Sequence, residues 1–209
     1  MKLAFDIGGN MGQTTDFLLQ NYDKVICFEP NPDLVNHLKN KYHNNNKVII
    51  EEIGLSDEES VKKFYISNSH VVSTISQDWI NNSRFTNVYN WDNEIEINTT
   101  TLDKVIEKYG IPYFIKIDVE GYEYEVFMGL TKLLDDTYIS FEWAEEQYSK
   151  INETVSYLKS LGYYNFSYTY GDNIIDLENI NWDSWENLSL HNDIDISRKE
   201  KWGMVYLKK

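Results

Sequence analysis

The residues of this 209-residue chain that could do chemistry gather in a few short stretches, the first of them close to the N-terminus. Phe5-Asp6-Ile7-Gly8-Gly9-Asn10-Met11-Gly12 puts a carboxylate at the tip of a short apolar strand and three glycines in the turn beyond it. Open parallel sheets bind ligands beyond the carboxyl ends of their strands, where the strand order reverses. Glycine at Gly8 and Gly12 lets backbone come close to a ligand or to the following helix. Glu29 ends the second strand 17 residues after Gly12, near the spacing of about 20 at which an acid grips ribose hydroxyls. A dinucleotide-binding turn would read Gly-x-Gly-x-x-Gly and aim a helix N-terminus at a pyrophosphate. Gly8, Gly9 and Gly12 miss that spacing, and Asp6 would repel phosphate while attracting a cation. The ligand implied is a positively charged nucleoside with a ribose diol and no phosphate.

S-adenosylmethionine meets that description, with an ammonium, a sulfonium and a free diol. Four segments in order then resemble the FkbM family of class I S-adenosylmethionine-dependent methyltransferases. They are the glycine turn, Phe28-Glu29-Pro30-Asn31-Pro32, Ile53-Gly54-Leu55-Ser56-Asp57, and Thr101-Leu102-Asp103 leading to Ile115-Lys116-Ile117-Asp118-Val119-Glu120-Gly121-Tyr122-Glu123. The resemblance spans residues 5 to about 143 and fades beyond Glu142. It implies an α/β, Rossmann-like fold: a seven-stranded, mostly parallel sheet with helices on both faces and an antiparallel last strand. It implies further that Asp6, Gly8 and Asn10, in the turn completed by Gly9 and Gly12, line the methionine end of the cofactor. Glu29 would hold the ribose, Asn31 with the Gly54 and Leu55 backbone the adenine, and Asp118 would lie close to the methyl group. Many members carry an upstream segment that helps close the pocket, so this chain is expected either to be a domain of a longer protein or to leave its pocket open. Members methylate hydroxyls of sugars in glycans and glycolipids or of polyketide-type metabolites. A sugar acceptor, such as a deoxyhexose like rhamnose or fucose, is the expectation carried forward.

Alternation along a strand puts Lys116 and Asp118 on one side, with Asp118 at the carboxyl end. Methyl transfer is an in-line displacement, so positioning supplies much of the rate. An alcohol also needs a carboxylate or histidine within hydrogen-bond reach to take its proton. Asp118 is the first candidate base, then Glu142 at the next strand tip, then His70. Lys116 reads as an ion-pair partner that orients an acid more readily than as a base. Glu120 and Glu123 suit the turn and helix start, where negative charge is favourable. Asp118 and Glu142 could offer oxygen ligands to magnesium, but two acids are too few, and His37, His43, His70 and His191 have no ligand spacing. No metal is expected.

The elements that must hold these groups alternate strand and helix, the rhythm of a parallel α/β sheet. Strands are expected at residues 2–7, 25–29, 48–53, 113–119, 138–143, 163–170 and 203–208, with a side strand at 61–66. Helices are expected at 12–20, 32–42, 102–109, 124–134 and 148–161. Residues 67–100 and 171–202 read as irregular rim or lid segments of a single domain. They carry Trp79, Trp91, Trp182 and Trp185, whose faces would suit a sugar. Lys and Arg number 19 against 34 Asp and Glu, a net charge of −15, which disfavours nucleic acid and anionic membrane surfaces as partners. The single cysteine, Cys27, makes no internal disulfide and points to a reducing, cytoplasmic setting. No apolar run approaches the ~20 residues of a membrane span. Other readings are a nicotinamide-dependent oxidoreductase, which the glycine spacing opposes, and a cofactor-binding module without turnover.

Overall fold

The computed structural model describes residues 1–171, 177, 180–188 and 201–209. The chain opens with β1 (Leu3–Ile7), α1 (Gln13–Leu18), β2 (Lys24–Phe28), α2 (Pro32–Lys41) and β3 (Val48–Glu51). After β4 (Gly54–Leu55), β5 (Ser60–Ile66), α3 (Gln77–Asn82) and β6 (Asn93–Thr100) come α4 (Leu102–Tyr109), β7 (Phe114–Ile117) and α5 (Glu123–Met128). β8 (Tyr138–Ala144), α6 (Tyr148–Leu161), β9 (Asn165–Tyr168) and β10 (Trp202–Lys208) complete the described elements. Seven strands form one sheet in the order β3-β2-β1-β7-β8-β10-β9. β3, β2, β1, β7 and β8 run parallel, and β10 lies antiparallel between β8 and β9. This is the expected α/β, Rossmann-like arrangement.

Central strands buried on both faces read as apolar runs, and every residue of β1 is buried. Phe5, Ile26, Ile115 and Ile139 pack against Leu102 of α4, Val126 of α5 and Leu158 of α6. On the other face Ala4 and Val25 meet Leu18 of α1, and Cys27 meets Leu38 and Tyr42 beside α2. Local chemistry sets the helix starts. Asn31 accepts the Asp33 amide at 3.1 Å with Pro32 in the first turn of α2, and Thr101 caps α4 by accepting the Lys104 amide at 3.2 Å.

Residues 67–100 are more ordered than their composition suggests. Gln77–Asn82 is helical, capped by Ser76, and Asn93–Thr100 is a full strand. β6 pairs antiparallel with β5 and parallel with β4 in a second, three-stranded sheet. The sequence obscures this because β6 is exposed at most of its polar positions and buries only Ile97 among its apolar residues. Long-range pairing, not local hydrophobicity, makes it a strand. α5 stops at Met128, short of the expected 134, because Gly129 crosses the chain tightly: its carbonyl accepts the Asp103 amide, and a Cβ there would overlap the Ser56 carbonyl. Part of the 171–202 segment, with His191, lies outside the described residues. Among the described residues no helix is long and apolar enough to cross a membrane.

Candidate active site

The strand order reverses between β1 and β7, whose register sets Asp6 beside Lys116 and Ile7 beside Ile117. Both chains turn away there, opening a cavity of about 670 Å³, a size typical of small-molecule sites. Gly8, with φ +82°, has no alternative at the floor of this opening: a Cβ would overlap the Asp118 carbonyl oxygen. Its amide and that of Gly9 both donate to the Phe28 carbonyl, at 3.0 and 3.1 Å. Asn10 follows in the left-handed region at φ 48°. That conformation costs a non-glycine residue about 1–3 kcal/mol and collects at functional sites. Its return is the orientation of the Asn10 amide onto Glu29 Oε2 at 2.8 Å.

Glu29 is almost wholly buried, yet it faces the cavity. Its second oxygen accepts the Asn31 amide at 2.9 Å, so each oxygen keeps a lone pair for a ligand hydroxyl. Burial pushes its carboxyl up to about 7, against the pull of the Asn31 and Asn10 amides. Phe28, Leu34, Ile53, Gly54 and Leu55 form an apolar slot next to it. A buried carboxylate with spare acceptor capacity beside apolar side chains has the chemistry to receive a ribose and a base.

Asp6 sits lower than the motif suggests. It is fully buried and outside the cavity lining. Oδ2 accepts the Thr15 hydroxyl at 2.6 Å, while Oδ1 has no hydrogen bond and only the Lys116 ammonium at 3.8 Å. Burial raises its carboxyl above the ordinary value, opposed by Lys116 and Thr15. Gly12, φ +80°, serves packing of α1 on α2, because a Cβ would stand 2.6 Å from the Tyr42 hydroxyl. Asn31 spends its side-chain oxygen on the α2 cap and also lies off the lining. Gly8, Gly9, Asn10, Glu29, Gly54, Leu55, Lys116, Asp118, Glu142 and His70 all line the one cavity.

Across the switch point, Lys116 donates to the Gly8 carbonyl at 3.3 Å and pairs with Asp118 at 3.1 Å. Burial works against its charge, but Asp118 and Asp6 outweigh it and hold the ammonium above its ordinary pKa. A lysine held charged in this way is a positioning group and not a base. Asp118 remains about a quarter exposed to the cavity, with 28% of its side-chain surface free. His70 reaches the glycine turn, its Nδ1 2.7 Å from Asn10 Oδ1.

Beyond Asp118 lies a cluster of acids. Asp118, Glu123 and Glu142 bring carboxylate oxygens within 4.8 Å of one another. Glu123 accepts the amides of Val119 at 2.9 Å and Gly121 at 3.4 Å, as an acid at a helix start should. Burial lifts it to about 7. Glu120 has φ 55° and is pinned by the Thr74 hydroxyl, which donates to its carbonyl at 2.7 Å. Burial, then the charges of the neighbouring acids, push Glu120 and Glu142 far above the ordinary range. Both therefore favour the protonated form more than an ordinary carboxylate does.

Glu120 and Arg84 escape a sequence reading as cavity residues. Arg84 lies in the 67–100 segment, and its place beside Glu142 and Trp202 depends on strands joined far along the chain. The strained Glu120-Gly121 pair gives no compositional signal. Of the loop tryptophans, Trp79 is buried, Trp91 donates to the Val72 carbonyl, and Trp185 packs on Phe166. Trp182 stacks near Tyr138, at the amino end of β8 and away from the cavity. None of the four lines it; Trp202 does.

Known proteins share this layout. Residues 6–164 match the Methyltransferase FkbM domain. The hexuronic acid methyltransferase AglP of Haloferax volcanii is 30% identical over 140 residues, 63% of this chain and 51% of that protein. A crystal structure of methyltransferase FkbM from Methylobacillus flagellatus superposes with a TM-score of 0.56 at 15% identity, covering 99% of this chain and 43% of the other. A Streptococcus mutans protein solved in complex with SAH gives 0.50 at 11% identity over 100% of this chain and 89% of its own. These two structures show the fold alone. The chain spans about half the length of the curated relative it matches. Motif order, switch-point geometry and the span of the match agree, and the chain belongs to the FkbM methyltransferase family.

Proposed function

We propose that the protein is an S-adenosylmethionine-dependent O-methyltransferase acting on a sugar hydroxyl. The observation that carries this is the meeting of Glu29 and Asp118 in one cavity, the first beside an apolar slot and the second at the switch point. Family membership and the sugar named for the Haloferax volcanii relative support it. When bound, the cofactor supplies an electrophilic methyl group. Glu29 accepts the ribose hydroxyls, and the apolar slot of Phe28, Ile53 and Leu55 takes the base. Lys116 pairs with Asp118 and fixes it at the tip of β7. Asp118 accepts the proton of the attacking hydroxyl, which general-base catalysis makes worth about 10²–10⁴ in rate. Glu142 and Glu120, raised above the ordinary carboxylate range by burial and by the neighbouring acids, lie beside Asp118.

Titration with S-adenosylhomocysteine followed by incubation with labelled S-adenosylmethionine and a panel of methyl-free glycans tests the reading. Binding with transfer of label to sugar is the expected result. Absence of binding at millimolar concentration ends the donor assignment, and binding without transfer to any glycan favours a module that has lost turnover.

A further inference from the structure

The cavity has two cationic side chains among the described residues of its lining, Lys116 and Arg84. Lys116 is committed to Asp6, Asp118 and the Gly8 carbonyl. Arg84 is not. Its backbone amide and Nη1 both donate to one oxygen of Glu146, at 2.9 and 3.1 Å. Its Nη2 lies 3.8 Å from Glu142 Oε1, beyond hydrogen-bond reach. A guanidinium has five N–H donors, and among the described residues only Nη1 makes a side-chain hydrogen bond.

The rest of the surroundings holds the fork still. The guanidinium carbon stands 4.6 Å from the Phe85 ring centre and 5.6 Å from those of Trp79 and Trp202. An exposed surface arginine wags in water and gains little from any one anion. This one is stacked, tethered through Glu146 and turned into a cavity, so its unspent donors are pre-organised. The neighbouring Glu142 stands at ion-pair distance but accepts no hydrogen bond from it. Planar, bidentate recognition of a carboxylate is what such a fork does best.

We infer that Arg84 receives a carboxylate carried by the acceptor, so that the sugar methylated here is an acidic one, a uronic acid. This rests on the methyltransferase reading of the same cavity. Arg84 belongs to the half formed by β8 and β10, while the glycine turn that faces the donor lies on β1, two strands from β8 in the sheet. The acid named for the Haloferax volcanii relative is of the same class.

The test uses the full chain saturated with S-adenosylhomocysteine, titrated with the methyl glycosides of glucuronic and galacturonic acid, their neutral glucose and galactose counterparts, and glucose 6-phosphate. At least one uronate should bind about tenfold or more tighter than its neutral partner. Arg84→Gln should erase that preference while leaving neutral-sugar and S-adenosylhomocysteine affinities within about twofold, and Arg84→Lys should keep part of it. Thermal melting of both variants separates loss of recognition from loss of fold. Equal binding of acid and neutral sugars, a preference that survives Arg84→Gln in a folded protein, or tighter binding of the phosphate overturns the inference and leaves the methyltransferase reading intact. Weakened S-adenosylhomocysteine binding in Arg84→Gln overturns it too, by placing Arg84 on the donor. Binding of none of the sugars removes this inference together with the sugar acceptor, and donor binding then stands by itself.

Discussion

The two halves of the cavity are made in different ways. The half we assign to the donor, at the tips of β1, β2 and β4, is mostly backbone: Gly8 and Gly9 amides on the Phe28 carbonyl, and Asn10 and Asn31 amides on Glu29. Each contact joins positions within about two dozen residues of one another. The half beyond β7 is side chains from distant segments: Arg84 from the loop after α3, Glu120 from the turn before α5, Glu142 from β8 and Trp202 from β10. A backbone cradle suits a ligand common to a whole family. A ring of side chains can change without disturbing the sheet, which is why we assign acceptor choice to it.

The sharpest way to separate the halves is Asp118→Asn. Turnover should fall by about 10²–10⁴ while S-adenosylhomocysteine affinity, measured by calorimetry, moves by a few-fold at most. A parallel loss of donor binding would merge the halves. Gly8→Ala should damage both at once, because it forces a Cβ into the Asp118 carbonyl at a left-handed position. Overpacking and strain of this kind cost about 2–4 kcal/mol, to be read from denaturant midpoints.

Glu29→Gln confines its effect to the donor half, with S-adenosylhomocysteine affinity about 10–100-fold weaker, the worth of charged hydrogen bonds. Because burial lifts Glu29 to about 7, donor binding by the native protein should tighten between pH 6 and 8 as the carboxylate forms. The Gln variant should show a flat profile over that range. Stability runs the opposite way. Glu29 and Glu123, raised from 4.5 to about 7 in the folded state, contribute stability that is complete below 4.5 and is lost as pH rises through 7. Glu123→Gln, which keeps an acceptor for the Val119 and Gly121 amides, should therefore flatten the fall in melting temperature between pH 5 and 8. The smallest effect belongs to Thr74→Val, which removes the hydroxyl bonded to the Glu120 carbonyl and the Ser76 amide. About 1–2 kcal/mol of stability should go, with acceptor KM rising and donor affinity unchanged.

How much was legible follows the same division. Glu29 and the Gly8 turn were readable because a strand, a glycine turn and an acid at a set spacing are local, and their geometry is dictated by φ values few residues adopt. β6 was not readable, since its residues Asn93–Thr100 are extended only because β4 and β5 supply partners on either side. Asp6 shows the limit within a motif: its position in the chain marks the switch point, but its depth comes from Thr15 and Lys116 closing over it.

Local order in the chain by itself determined the strand and helix rhythm, the switch-point turn, the acid that faces the apolar slot and the family. The tertiary structure decided which acids lie together, which of them burial pushes above their ordinary range, and that an arginine outside every motif lines the cavity beside Glu142 and Glu146. The physical reason is range. Turn geometry and caps are set by neighbours along the chain, whereas desolvation and charge coupling depend on what packs within a few ångströms, and only the closed sheet brings Arg84, Glu120 and Glu142 that near.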